Sequence, residues 1–308
     1  MRISKLLFCT MLVLLVIGIF GCAQDYETKY LRAAKSTQSY DIKDGETINL
    51  KATIIKKSIS GKYYRMYGYD GQIPGPTLKV EEGSKVSINF INKLDVNTTI
   101  HWHGIRVNNE YDGVPGILQP EIAPGEGFLY ELKFPDPGVY WYHPHLREDM
   151  EQELGLYGNI IVNPKSKEYF NKVDKEFNLI LDDILVGDGE PKFKERYTNY
   201  ALMGRFGNVL MINGETNYKN EVKKNEVIRL FLTNAANARP FNFSIENTKL
   251  KVVGSDLSKY ENEFFADSII IAPGERYIVE IKFSESGKYK IFNINPHKTY
   301  VLGEIKVL

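Results

Sequence analysis

One segment of the chain occurs twice, and this constrains the fold more than any other feature. Residues 122–140 read IAPGEGFLYELKFPDPGVY and residues 271–289 read IAPGERYIVEIKFSESGKY, identical at ten of nineteen positions without a gap. The copies lie 149 residues apart. A fainter echo lies upstream, where VSINFI (Val86 to Ile91) matches VIRLFL (Val227 to Leu232) at an offset of 141. A period this long exceeds that of a solenoid, so two fused domains of one kind are expected. Runs such as Lys85 to Ile91 and Tyr277 to Phe283 alternate polar and apolar residues, with Pro and Gly between them. Period-two alternation bounded by turn residues describes strands, and only Lys165 to Lys175 could hold a short helix. The expected class is all-β: two tandem Greek-key β-sandwiches over residues 40–165 and 175–308, joined by a polar stretch from Asn163 to Lys175.

The start of the chain reads as a targeting segment. Arg2 and Lys5 precede an apolar run of 15 residues from Leu6 to Phe20, followed by Gly21 and Cys22. That run is shorter than the roughly 20 residues that span a bilayer as a helix, and the pattern is that of a secretory signal. Cys directly after Gly21 is similar to the lipobox of bacterial lipoproteins, which makes Cys22 the expected lipidation site. Plain secretion and an uncleaved anchor are the alternatives. Residues 1–22 are therefore expected as a signal peptide and 23–39 as a linker, with the mature chain exported to the periplasm or cell exterior. Cys9 would leave with the leader, so no free thiol would remain for a metal.

Charge excludes some partners. Lys and Arg number 39 against 39 Asp and Glu, and without a basic block the chain is a poor nucleic-acid binder.

Four of the five histidines form two pairs, His101-Trp102-His103 and His143-Pro144-His145. On a strand, residues i and i+2 share a face, so each pair presents two imidazoles side by side. Two such pairs in one sandwich can converge on one site, and an all-imidazole cluster without thiolate suits copper. The repeat serves as an internal control. At the offsets above, His101 and His103 fall on Asn242 and Ser244, and His143 and His145 on Phe292 and Ile294. The scaffold recurs without its imidazoles, which favours ligands over framework. Trp102 alternates away from its neighbours and is expected in the core, while His297 in Asn295-Pro-His-Lys298 stands alone.

These residues carry a family resemblance. Thr99-Ile-His-Trp-His-Gly104, Tyr111-Asp-Gly-Val-Pro-Gly116 and Tyr140-Trp-Tyr-His-Pro-His145 resemble the multicopper oxidases, the laccase and ascorbate-oxidase family. Ile73-Pro-Gly-Pro-Thr77 and Gly155-Leu-Tyr-Gly158 also match its first domain, and Leu210-Met-Ile-Asn-Gly214 and Ile271-Ala-Pro-Gly-Glu-Arg276 its second. The resemblance implies two cupredoxin-like (plastocyanin-like) sandwiches. It implies that His101 binds the type 2 copper and that His103, His143 and His145 bind the type 3 pair. It also implies that O2 is reduced to water with electrons from a reducing substrate, phenolic or metal ion. Asp112 resembles the acid that assists proton delivery there, and an Asp before Gly113 equally suits a turn.

A complete family member has a third domain with four more of these ligands and a type 1 copper held by Cys. Neither a His-Cys-His motif nor a second cupredoxin ligand set stands in this sequence. Three explanations are open: a truncated frame, a separately encoded third domain, or a non-catalytic lipid-anchored copper-binding or interaction module. The coding DNA beyond residue 308 discriminates most cheaply among them.

Overall fold

The computed structural model describes residues 28–117, 119–187 and 203–308. Cys9 and Cys22, and with them the leader, lie outside the described residues.

Four sheets form two sandwiches. In the first, β3 (Lys62–Tyr69), β2 (Thr47–Ile59), β5 (Lys85–Lys93) and β7 (Gly127–Lys133) lie side by side in that order. Facing them are β1 (Ser39–Asp41), β4 (Thr77–Glu81), β9 (Gly158–Asn163), β8 (Gly138–His143) and β6 (His101–His103). The second sandwich repeats the plan. One sheet runs β11 (Val209–Ile212), β10 (Lys175–Ile184), β13 (Val227–Asn234), β18 (Arg276–Lys282), β15 (Leu250–Ser255) and β16 (Ser258–Ala266). The other runs β12 (Tyr218–Val222), β20 (Lys298–Val307), β19 (Gly287–Asn295), β14 (Phe241–Ile245) and β17 (Ile269–Ile271). Strand for strand, β2 to β9 map onto β10 to β14 and β18 to β20, with the β15–β16 hairpin and β17 added.

Alternation drives the packing. Along β5 every second residue is buried, so one face closes the core and the other meets water. Strand β8 is buried throughout because both of its faces are covered. Tyr140 and Tyr142 enter the first core, whereas Val139 joins Ile161, Phe231, Val253 and Ile278 in an apolar cluster between the sandwiches. Polar bridges flank that cluster: the Asn159 amide donates to Asn178 and Thr233, and the Tyr157 hydroxyl to Asp182 at 2.6 Å.

The upstream half of the repeat is offset by 142 residues rather than 141. Ile88 stands opposite Tyr130 in β5–β7, and Leu230 opposite Val279 in β13–β18, so Ile88 corresponds to Leu230. A one-residue slip turns every side chain to the other face, and an apolar echo alone cannot resolve it. Buried asparagines pin the register. The Asn92 amide donates to the carbonyls of Val96 and Ile122, and that of Asn234 donates to those of Arg239 and Ile271.

Two local expectations change. Residues 165–171 form turns, not a helix, because the segment follows Pro164 and offers only Tyr169 and Phe170 as apolar anchors. The short helix α1 instead covers Glu148–Glu151, opened by Arg147 in the left-handed region. The described part of the expected linker, residues 28–39, is a strap on the first sandwich. The Ala34 amide donates to Lys56, the Lys56 amide to Arg32, and the Lys35 amide to Gly71.

Candidate metal centre

The antiparallel pair β6–β8 builds the site. His101 stands opposite His143, Trp102 opposite Tyr142, and His103 opposite Trp141. Alternation sends Trp102 and Tyr142 into the core, where Trp102 is fully buried against Tyr130. The same alternation leaves His101, His103, His143 and Trp141 on the other face. One ring nitrogen from each of the three histidines lies within 4.8 Å of the others. His145 follows the end of β8, with its ring 5.2 Å from that of His101 and 6.4 Å from that of His143. Its Nδ1 is 2.9 Å from Glu148 Oε1 in α1, so helix and histidine hold each other.

Hydrogen bonds set the tautomers. His101 Nδ1 lies 2.8 Å from the Asp112 carbonyl and 3.2 Å from its Oδ1. His143 Nδ1 lies 2.9 Å from the Pro144 carbonyl. A carbonyl only accepts, so both rings carry the proton on Nδ1 and present an Nε2 lone pair, the usual arrangement behind a metal-ligating imidazole. Burial reinforces it. Desolvation, with Arg276 adding positive charge, takes His103 down to about 4. Desolvation likewise holds His143 well below its ordinary value. Both rings are therefore neutral at pH 7, and His103 Nδ1 lies 3.4 Å from His143 Nε2. His145 is pushed the other way, chiefly by its bond to Glu148.

The Asp112 loop is tied in by buried polar contacts. The Gly113 amide donates to Gln119, whose side chain donates to the Tyr130 hydroxyl, which also accepts the Ile100 amide. Gly113 has φ +76°, and a Cβ there would sit 2.0 Å from the Ile100 carbonyl oxygen, so the turn requires glycine. Asp112 thus has its turn-forming place and also touches His101.

Two parts of the site were not anticipated. The Trp141 ring stacks on His143 at 4.1 Å and leans on His103 at 5.0 Å, forming the floor of the cluster. Its position two residues before His143 was the available signal. The second sandwich contributes Gly274 and Arg276. A Cβ on Gly274 would lie 3.4 Å from His103 Cε1. Arg276 stands where the first copy has Gly127. Its guanidinium donates to the carbonyls of Val139 and Gly274, each at 3.0 Å, and pairs with Asp256 at 2.8 Å.

The internal control holds in corrected form. Ser244 faces Phe292 as His101 faces His143, so His101 and His103 correspond to Ser244 and Glu246, not to Asn242 and Ser244. His143 and His145 correspond to Phe292 and Ile294. His297 is exposed in the β19–β20 turn, away from the cluster.

The donor set fits copper: imidazoles, two of them oriented from behind through Nδ1, with no thiolate or carboxylate in the group among the described residues. His101, His103 and His143 lie close enough together to hold it, with the His145 ring 5.2 Å from that of His101. Imidazole alone also suits zinc or nickel, and similarity to known proteins narrows the choice. Family models described as multicopper oxidase match residues 51–167 and 175–303. The multicopper oxidase mco of Staphylococcus haemolyticus is 32% identical over 76% of this chain and 52% of its own length. The chain therefore spans about half the length of the curated relatives it matches. A multi-copper oxidase from Pseudomonas thermotolerans superposes with TM-score 0.78 at 28% identity, over 88% of this chain and 64% of that one. A further multicopper oxidase structure is covered over 96% of its chain, with TM-score 0.73 and 26% identity over 91% of this one. With matched models over both sandwiches, and the paired histidines in the first, the chain belongs to the multicopper oxidase family.

Proposed function

We propose that the chain contributes His101 to a type 2 copper and His103, His143 and His145 to a type 3 pair, as one half of an oxygen-reducing centre. The convergence of the two His-x-His pairs on one face of β6–β8 carries this reading. Copper held by these residues would supply the redox chemistry for reducing O2 to water, with electrons from a phenolic or metal-ion substrate arriving through a type 1 site. The protein's own residues prepare the site. Asp112 and Pro144 orient His101 and His143 through Nδ1, Glu148 orients His145, and Trp141 excludes water from one side. Asp112, partly exposed and 3.2 Å from His101 Nδ1, would assist proton delivery to reduced oxygen. Four further imidazoles and a type 1 site would come from a third cupredoxin domain, in a longer chain or a separate polypeptide. Lipidation at Cys22 would anchor the exported protein to a membrane.

An all-imidazole site in one sandwich and none in the other also supports a second reading, a lipid-anchored copper-binding or interaction module without turnover. Copper titration tests the site. The chain should bind copper, and His101→Ala with His143→Ala should lower the stoichiometry; equal copper content in variant and parent would sink the assignment. Oxygen uptake with a phenol or cuprous ion, with and without a co-purifying cupredoxin partner, then separates oxidase from module.

A further inference from the structure

The cations that the sequence scatters between Lys29 and Lys56 are gathered by the fold into one surface. The strap, described from Thr28 onward, runs along β2 and exposes Lys29, Arg32 and Lys35. Lys56 joins them from β2: its Nζ lies 3.4 Å from the Lys29 carbonyl and 5.1 Å from the centre of the Tyr63 ring. Ile55, Ile59, Tyr64 and Met66 take the core side of this hairpin, so Lys56 and Tyr63 face outward. Tyr30 and Tyr63 are 70% and 51% exposed, an unusual placement for large rings beside ammonium groups. Among the described residues no close ion pair engages Lys29, Arg32, Lys35 or Lys56, although Lys35 acts on the Asp70 carboxyl through its charge. Nearby acids are already engaged: Asp95 by Arg65, and Asp70 by the Tyr40 hydroxyl and the Lys51 amide.

We propose that this strap surface seats on anionic lipid headgroups, its lysines and arginine on phosphate and its two tyrosines at the headgroup level. The choice of a lipid over a protein partner rests on the reading of Cys22 as the lipidated residue. Only residues 23–27 separate Cys22 from Thr28, and so short a segment reaches at most about 20 Å. The strap is therefore the part of the described fold held nearest the bilayer. A basic patch beside a lipid anchor adds attraction to anionic headgroups. Tyrosine suits the same depth, with an apolar ring and a polar tip. The histidines lie on the face of the opposite sheet, β1-β4-β9-β8-β6, that packs towards the second sandwich, so a membrane seated on the strap does not meet them.

The test uses the exported chain carrying Cys22→Ser, so that no acyl chain contributes, with vesicles of phosphatidylcholine alone or mixed with phosphatidylglycerol. Binding is expected to the anionic vesicles only and to fade at high salt. Each cation drawn to such a surface changes partitioning about fivefold, so joint replacement of Lys29, Arg32, Lys35 and Lys56 by Ala should weaken it about a hundredfold or more. The same replacement at the exposed Lys219, Lys223, Lys290 and Lys298 of the second sandwich should change little. Equal binding to both vesicle types, or equal loss in both quadruple variants, overturns the proposal. Acyl labelling of Cys22 in cells tests the anchor separately: vesicle binding without labelling keeps the surface and removes the anchor.

Discussion

Replacing Glu151 by Gln should make the protein more stable, and only above acidic pH. Glu151 closes α1 at 1% exposure, with its carboxyl 2.6 Å from Thr98 Oγ1. Burial raises its pKa to about 8, against smaller lowering by Thr98 and Arg147, while Asp149 and Glu121 add to the rise. The sign follows from linkage. The native state favours the neutral acid, and the unfolded chain ionises near the ordinary value of 4.5. Stability is therefore greatest below that value, falls as pH rises towards about 8, and is level beyond it. The gap corresponds to at most about 5 kcal/mol. Water entry beside a helix of one turn returns part of this, so a relief of about 2–3 kcal/mol is expected at alkaline pH. Glutamine keeps a hydrogen bond to Thr98 without the charge. Urea unfolding of parent and Glu151→Gln at acidic and alkaline pH reads the difference. The curves should coincide in acid and separate in base. Parallel pH dependences, or a variant less stable in base, would refute the reasoning.

Two other expectations concern the site and its support. Copper addition should quench tryptophan fluorescence mainly through Trp141, which stacks on His143 at 4.1 Å, whereas Trp102 lies on the opposite face. Trp141→Phe should therefore abolish most of the quench, and undiminished quenching from Trp102 alone would contradict this geometry. Arg276→Ala removes a hydrogen bond to the Val139 carbonyl across the sandwich interface, with one to Gly274 and an ion pair to Asp256 inside the second sandwich, and should cost about 3 kcal/mol in urea unfolding. A loss below about 1 kcal/mol would show that Val139, Ile161 and Phe231 carry the interface by themselves.

Much of the fold and half of the site could be read from local pattern. The duplicated segment marked two sandwiches because strands of equal alternation and equal turns must pack alike. Each histidine pair was legible because i, i+2 spacing on a strand fixes a common face whatever the rest of the chain does. The second-copy counterparts were displaced by one residue in β5–β13 and by two at β6–β14, because an apolar run matches its repeat almost equally well when slipped. Only buried hydrogen bonds such as those of Asn92 and Asn234 distinguish the registers.

The sequence by itself therefore determined the fold class, the family resemblance and the four imidazoles. Tertiary structure alone decided that His101 faces His143, that the Asp112 carbonyl holds His101 from behind, and that Trp141 floors the cluster. It also decided that Arg276 reaches the site from the second sandwich, and that Lys56 joins the strap cations. These contacts join segments far apart in the chain. Cross-strand register and domain docking select them, and neither is encoded in the spacing of neighbouring residues.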